Sequence, residues 1–146
     1  MAEAEAKNAI VLGAEDIKQT ALESFPDPSA GGDVCWKTLI SAPKTATDTF
    51  TVGIATSGCR GHLKQHRHKQ AEIYHVTQGK GVVTIDGKEH SVSKGSVVWI
   101  PGDAEHGTEN VGDEDLVWLY AFAADGFEEV VYRFDEPGPE KEKAKL

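Results

Sequence analysis

The sequence predicts an all-β domain, an antiparallel sandwich or closed barrel with a short helix ahead of it. Two observations carry this reading. Short alternating or apolar runs follow one another between turn residues, and Asp86-Gly87 joins two of those runs as a two-residue turn. A chain of 146 residues is the size of one ordinary domain and can bury a core without disulfides or a partner. With 39% hydrophobic and 27% charged residues it has the balance of a soluble globular protein, which excludes collagen-like, coiled-coil and wholly disordered chains.

Residues 1–9 are polar without apolar periodicity and read as a frayed arm. The segment from Ala14 to Leu22 puts Ile17, Ala21 and Leu22 on one helical face, with Glu15 and Asp16 in the first turn, and predicts a short helix. Pro26, Pro28, Gly31 and Gly32 then break the chain. Strand-like runs follow at Val34–Ile40, Thr49–Ala55, Leu63–His68, Glu72–Thr77, Gly81–Ile85, Glu89–Val92, Val97–Ile100, Leu116–Ala123 and Val130–Phe134. Asp86-Gly87 suits a type I′ turn, which needs positive φ at both central positions. This spacing implies about eight to ten antiparallel strands. The expected organisation is an arm and helix over 1–33, one β-barrel domain over 34–135, and a charged, solvated tail over 136–146.

The formal net charge of -9 repels phosphate backbones and anionic membranes, so nucleic acid is not an expected partner. The apolar runs are too short to span a bilayer, and Met1–Ala6 carries acids where a signal peptide needs cations before an apolar stretch. The protein is therefore expected to be cytoplasmic and off the membrane. Cys35 and Cys59 are too few for a disulfide framework, lack metal-motif spacing, and are read as reduced thiols packed as small hydrophobes. Trp36, Trp99 and Trp118 are read as core.

The chemistry concentrates in Gln65–Tyr74. On a strand, His66 and His68 project to the same side, near enough to share one ion, and Glu72 on the next strand can add an oxygen. The best fourth ligand is His106, after the Pro101 turn. Three imidazoles and a carboxylate suit one divalent transition metal ion, Fe, Mn, Zn, Ni or Co, rather than Ca or Mg. Four protein ligands leave positions open for a substrate on a metal that prefers five or six.

These residues resemble the two motifs of the cupins. His66, His68, Glu72 and Gly79 fit the first, with its leading glycine displaced by one to Gly61; Gly95, Pro101, Asp103, His106 and Asn110 fit the second. The resemblance implies a single-domain cupin, a small jelly-roll-like barrel with the metal inside, held by His66, His68, Glu72 and His106. His62, His75 and His90 match no ligand position and are read as surface or packing residues.

Within the cupins the chain is most similar to the small single-domain dimethylsulfoniopropionate lyases. The similarity runs from Val34-Cys35-Trp36-Lys37 through Ala71-Glu72-Ile73-Tyr74, Gly79-Lys80-Gly81 and Ala104-Glu105-His106 to Phe127–Tyr132. It implies a small-molecule carboxylate substrate held by the metal, with Tyr74 removing the α proton and Tyr132 positioning the substrate. Tyr74 is two residues beyond Glu72 and so shares its strand face, whereas strand tyrosines also serve simply as packing. The ligand set equally permits an Fe(II)-dependent dioxygenase or a non-catalytic metal-binding or small-ligand-binding cupin. A homodimer through edge strands is a further expectation.

Overall fold

A computed structural model describes residues 7–134. Two short helices and eleven strands follow one another in these residues: α1 (Ala14–Gln19), β1 (Glu23–Ser24), α2 (Pro28–Gly31), β2 (Cys35–Ile40), β3 (Thr51–Ser57), β4 (His62–Arg67), β5 (Glu72–Gln78), β6 (Lys80–Ile85), β7 (Lys88–Ser93), β8 (Val97–Ile100), β9 (His106–Asn110), β10 (Leu116–Phe122) and β11 (Arg133–Phe134). They form two antiparallel sheets, ordered β1-β2-β3-β10-β5-β8 and β11-β4-β9-β6-β7. The all-β fold stands as predicted. No helix among the described residues is long and apolar enough to cross a membrane.

Side-chain alternation builds the core between the sheets. β3 and β10 alternate buried with half-buried residues along their full length, so that Leu116, Trp118, Tyr120 and Phe122 all face inward. Trp118, Phe122 and Ile100 are almost fully buried, each contributing about 1.5–3 kcal/mol through removal of apolar surface from water. The Asp86-Gly87 turn has φ of 47° and 80°, the double positive φ expected of it. Gly79 sits at φ 85° between β5 and β6, and a Cβ there would press on the backbone of Asp115 and Leu116.

Local differences from the sequence expectation have local causes. The helix stops at Gln19, because Thr20 turns to extended backbone, and Leu22 is left exposed rather than packed. Its carbonyl end is tied down from outside: Lys37 Nζ donates to Ile17 O and Lys18 O at 2.9 and 3.0 Å. The Pro/Gly-rich break contains α2, nucleated by Pro28 in its first turn and by Asp27, which accepts from Ser29 N at 3.0 Å. The expected strand at Val130–Phe134 shortens to Arg133–Phe134, after a 3-10 turn at Phe127–Glu129. β9 follows the Pro101 turn but is not among the strand-like runs, since its sequence His-Gly-Thr-Glu-Asn has almost no apolar content; it is held between β4 and β6, and its inward residues are His106, Thr108 and Asn110. Trp99 is not core: on edge strand β8 it faces outward and is 64% exposed. Cys35 and Cys59 are both free, and Cys59 is exposed rather than packed. The expected tail over 136–146 and most of the expected N-terminal arm lie outside the described residues.

Candidate metal centre

The two sheets bring the four predicted ligands together. His66 on β4 pairs across to His106, the first residue of β9. Glu72, the first residue of β5, comes from the opposite sheet, and His68 lies just past the end of β4. All four are at most 3% exposed. The ligating nitrogens of His66, His68 and His106 lie within 4.8 Å of one another, and Glu72 Oε2 is 3.0 Å from His68 Nε2 and 3.2 Å from His106 Nε2.

Second contacts fix the tautomers. Each Nδ1 meets a backbone carbonyl: His66 with Lys64 O at 2.7 Å, His68 with Gln70 O at 2.9 Å, and His106 with Ala104 O at 2.9 Å. A carbonyl only accepts, so each Nδ1 carries a proton and each Nε2 is the ring atom turned towards the centre. His66 Nε2 is buried with no hydrogen-bond partner, while the other two Nε2 atoms face the Glu72 carboxylate. Three ring nitrogens and a carboxylate converging in this way suit a cation, and the donor set fits a first-row divalent transition ion. Burial, followed by the neighbouring charge of His106, holds His66 well below its ordinary 6.5, which keeps the ring neutral.

The backbone around the site is braced as well. Asp103, at φ 63° in the turn before β9, donates its N–H to His68 O at 2.8 Å, and Arg67 Nη1 donates to Asp103 O at 2.7 Å. Arg67 thus ties together the two chain segments that carry His68 and His106. Asn110 ends the second motif with its Nδ2 at 2.8–3.0 Å from the carbonyls of Ser57, Gly58 and Glu114. His62, His75 and His90 all lie away from this cluster, His75 and His90 exposed.

A cavity of about 300 Å³ opens beside the ligands, with Glu72 on its wall. Tyr74 and Tyr132 both line it. Tyr132 also packs, its ring stacked on His66, so positioning and packing coincide in this residue. Tyr120 was missed from sequence: it pairs with Tyr74 in register, is 4% exposed, and lines the same cavity. Its inward place on β10 follows from alternation with Trp118 and Phe122, a signal present in the sequence. Burial pushes the phenols of Tyr74, Tyr120 and Tyr132 above their ordinary 10.

A buried cluster of three histidines that could hold a metal ion, set between the sheets of a small antiparallel barrel, is the arrangement of a cupin, and the chain belongs to the cupin family: residues 57–122 match the family described as Cupin domain. It is 42% identical over 119 residues to the dimethylsulfoniopropionate lyase DddW of Ruegeria pomeroyi, covering 82% of this chain and 77% of that protein. The solved polyketide cyclase RemF from Streptomyces resistomycificus shares the fold with a TM-score of 0.69 at 16% identity, covering 97% of this chain and 94% of that one. A structure from a study of the lyases RdDddP and RnDddQII also superposes, with a TM-score of 0.67 at 15% identity over 80% of this chain and 63% of that one.

Proposed function

We propose that this enzyme cleaves dimethylsulfoniopropionate to dimethyl sulfide and acrylate by β-elimination, with His66, His68, Glu72 and His106 as metal ligands and Tyr74 as the base. The observation that carries the reading is the polarity of the cavity. Glu72 is its one charged lining residue, and the remaining wall is largely aromatic and aliphatic, with no Lys, Arg or His. A zwitterion with a carboxylate at one end and a dimethylsulfonium at the other suits that wall. The likeness to DddW points to the same substrate.

A divalent ion held by the four ligands would take the substrate carboxylate and acidify the adjoining C–H bond. Phe25, Trp36, Trp118 and Phe127 line the cavity, and aromatic rings of this kind attract a cation such as the sulfonium. Tyr74 projects from the same strand face as Glu72 and takes the α proton. Burial first, then the charge of Glu72, raises its phenol well above the ordinary range, so a phenolate there depends on compensating positive charge in the site. As the C–H bond breaks, its electron pair forms the C–C double bond, and the C–S pair leaves with sulfur. The sulfide departs neutral, so no general acid is required. Tyr132, stacked on His66, closes the wall beside the ligands and positions the substrate.

The test is a headspace assay for dimethyl sulfide on the full chain loaded separately with Fe, Mn, Zn, Ni and Co, with and without oxygen. Release that is independent of oxygen is the expected result. Oxygen-dependent consumption without sulfide release would replace the lyase by a dioxygenase, and no turnover with any of the ions would sink the catalytic reading.

A further inference from the structure

We infer that Arg67 is a positioning residue for the metal centre: its guanidinium sets the separation of His68 from His106, the two imidazoles that meet Glu72 Oε2. The inference rests on the ligand set proposed above and adds to it a residue that does not line the cavity.

The ladder between β4 and β9 does not set this separation by itself. It shifts register between Leu63 and His66, places His66 opposite His106, and has no pair beyond that one. His68 lies past the end of β4, so other bonds must hold it to the turn that leads into His106. Asp103 N–H donates to His68 O at 2.8 Å, and Arg67 Nη1 donates to Asp103 O at 2.7 Å. Asp103 is thus gripped at its donor and its acceptor, at a φ of 63° that side chains other than glycine seldom adopt. One residue on, Ala104 O accepts the Nδ1 proton of His106 at 2.9 Å. The carbonyl that Arg67 holds is therefore one peptide unit from the carbonyl that orients the imidazole.

Arg67 also meets the far side of Ala104. Its Nη2 lies 3.8 Å from Glu105 Oε2, and its Nη1 lies 4.0 Å from Asp86 Oδ1. Asp86 in turn grips Glu105, donating its N–H to Glu105 O at 2.8 Å and accepting from Glu105 N at 3.0 Å. A planar fork can face a carbonyl and two carboxylates at once, which the single ammonium of a lysine cannot. Stability alone does not account for the residue. The side chain is only 15% exposed, and its Nε is buried with no hydrogen-bond partner, a cost that an apolar side chain would avoid. Ion pairs as loose as these return little. What the guanidinium supplies is a fixed span between the end of β4 and the start of β9, which orients the ligands that each carries.

The experiment is Co(II) titration of the full chain, read by visible absorption, for the unchanged protein, Arg67→Met and Arg67→Lys. Arg67→Met is expected to raise Kd by about 10-fold or more and to shift the Co(II) bands, while Arg67→Lys, which keeps the charge and reaches one acceptor, recovers part of the affinity. A Kd within about two-fold of the unchanged chain, with the same spectrum, in both variants overturns the inference. Failure of the unchanged chain to bind Co(II) overturns the ligand set, and this inference with it. Hydrogen exchange on the metal-free proteins separates positioning from plain stability. If Arg67 acts on the turn, the Asp103 amide loses protection in either variant while the β10 amides keep theirs; uniform loss along the chain would make the residue merely structural and overturn the inference.

Discussion

The ring of Tyr132 lies flat on the ring of His66, with centroids 4.4 Å apart and planes 2° from parallel. Phe134 flanks the same imidazole at 5.6 Å. Since Phe134 pairs with His66 in the β11–β4 ladder, β11 and the residue just before it hold this imidazole from two sides. The stack fixes the ring plane while the Lys64 carbonyl fixes the tautomer. Tyr132→Ala removes the stack and is expected to weaken metal affinity by about 10-fold or more, whereas Tyr132→Phe keeps the ring and the affinity. Metal titration of both variants checks this; equal affinities for Ala and Phe would show that the stack does not orient His66.

Tyr74 is the residue on which the elimination depends. Tyr74→Phe preserves the buried ring and its contact with Trp118, centroids 5.5 Å apart, and removes only the hydroxyl. The expected outcome is retained metal and fold with turnover reduced by about 100-fold or more, the scale of losing a positioned base. Turnover within a few-fold of the unchanged enzyme would remove Tyr74 from that role.

The clustering of His66, His68 and His106, with Glu72 beside two of them, was legible in the sequence because strand alternation and motif spacing act on near neighbours: His66, His68 and Glu72 are separated by short steps, and the Pro101 turn marks His106. The positions of Trp99 and β9 were not. Trp99 sits in the apolar run Val97–Ile100, and composition alone does not say that this strand lies at a sheet edge with one face bare. β9 reads as polar because its inward positions hold His106, Thr108 and Asn110, residues kept for the site and its anchors, so the usual apolar signature is missing. The cavity wall combines residues from Phe25 to Tyr132, distant in sequence, and only the paired sheets bring them together.

The neutral state of His66 gives metal-free protein a pH dependence of definite sign. Burial and the neighbouring histidine charges hold its pKa well below 6.5 in the folded chain, whereas the unfolded chain takes up the proton near 6.5. Below that pH the unfolded state binds more protons, so stability falls as pH drops from about 6.5 towards the folded value, at no more than about 1.4 kcal/mol per pH unit from this group. Above about 6.5 the group contributes no slope. Urea unfolding of metal-free protein against pH, alongside His66→Gln, checks this. The variant is expected to lose part of the acid-side slope, and parallel curves would assign the slope to other groups.

Glu72 is the one carboxylate at the centre, with its Oε2 3.0 Å from His68 Nε2 and 3.2 Å from His106 Nε2 in a site 3% exposed. Glu72→Gln keeps the shape of the side chain and removes its charge, so it is expected to weaken the hold on a divalent ion. The stabilisation that added metal confers, which grows as RT ln(1 + [L]/Kd), then shrinks in the variant because Kd rises. Thermal melts of both proteins with and without ion check this: a variant that gains as much from added ion as the unchanged protein would remove Glu72 from the ligand set.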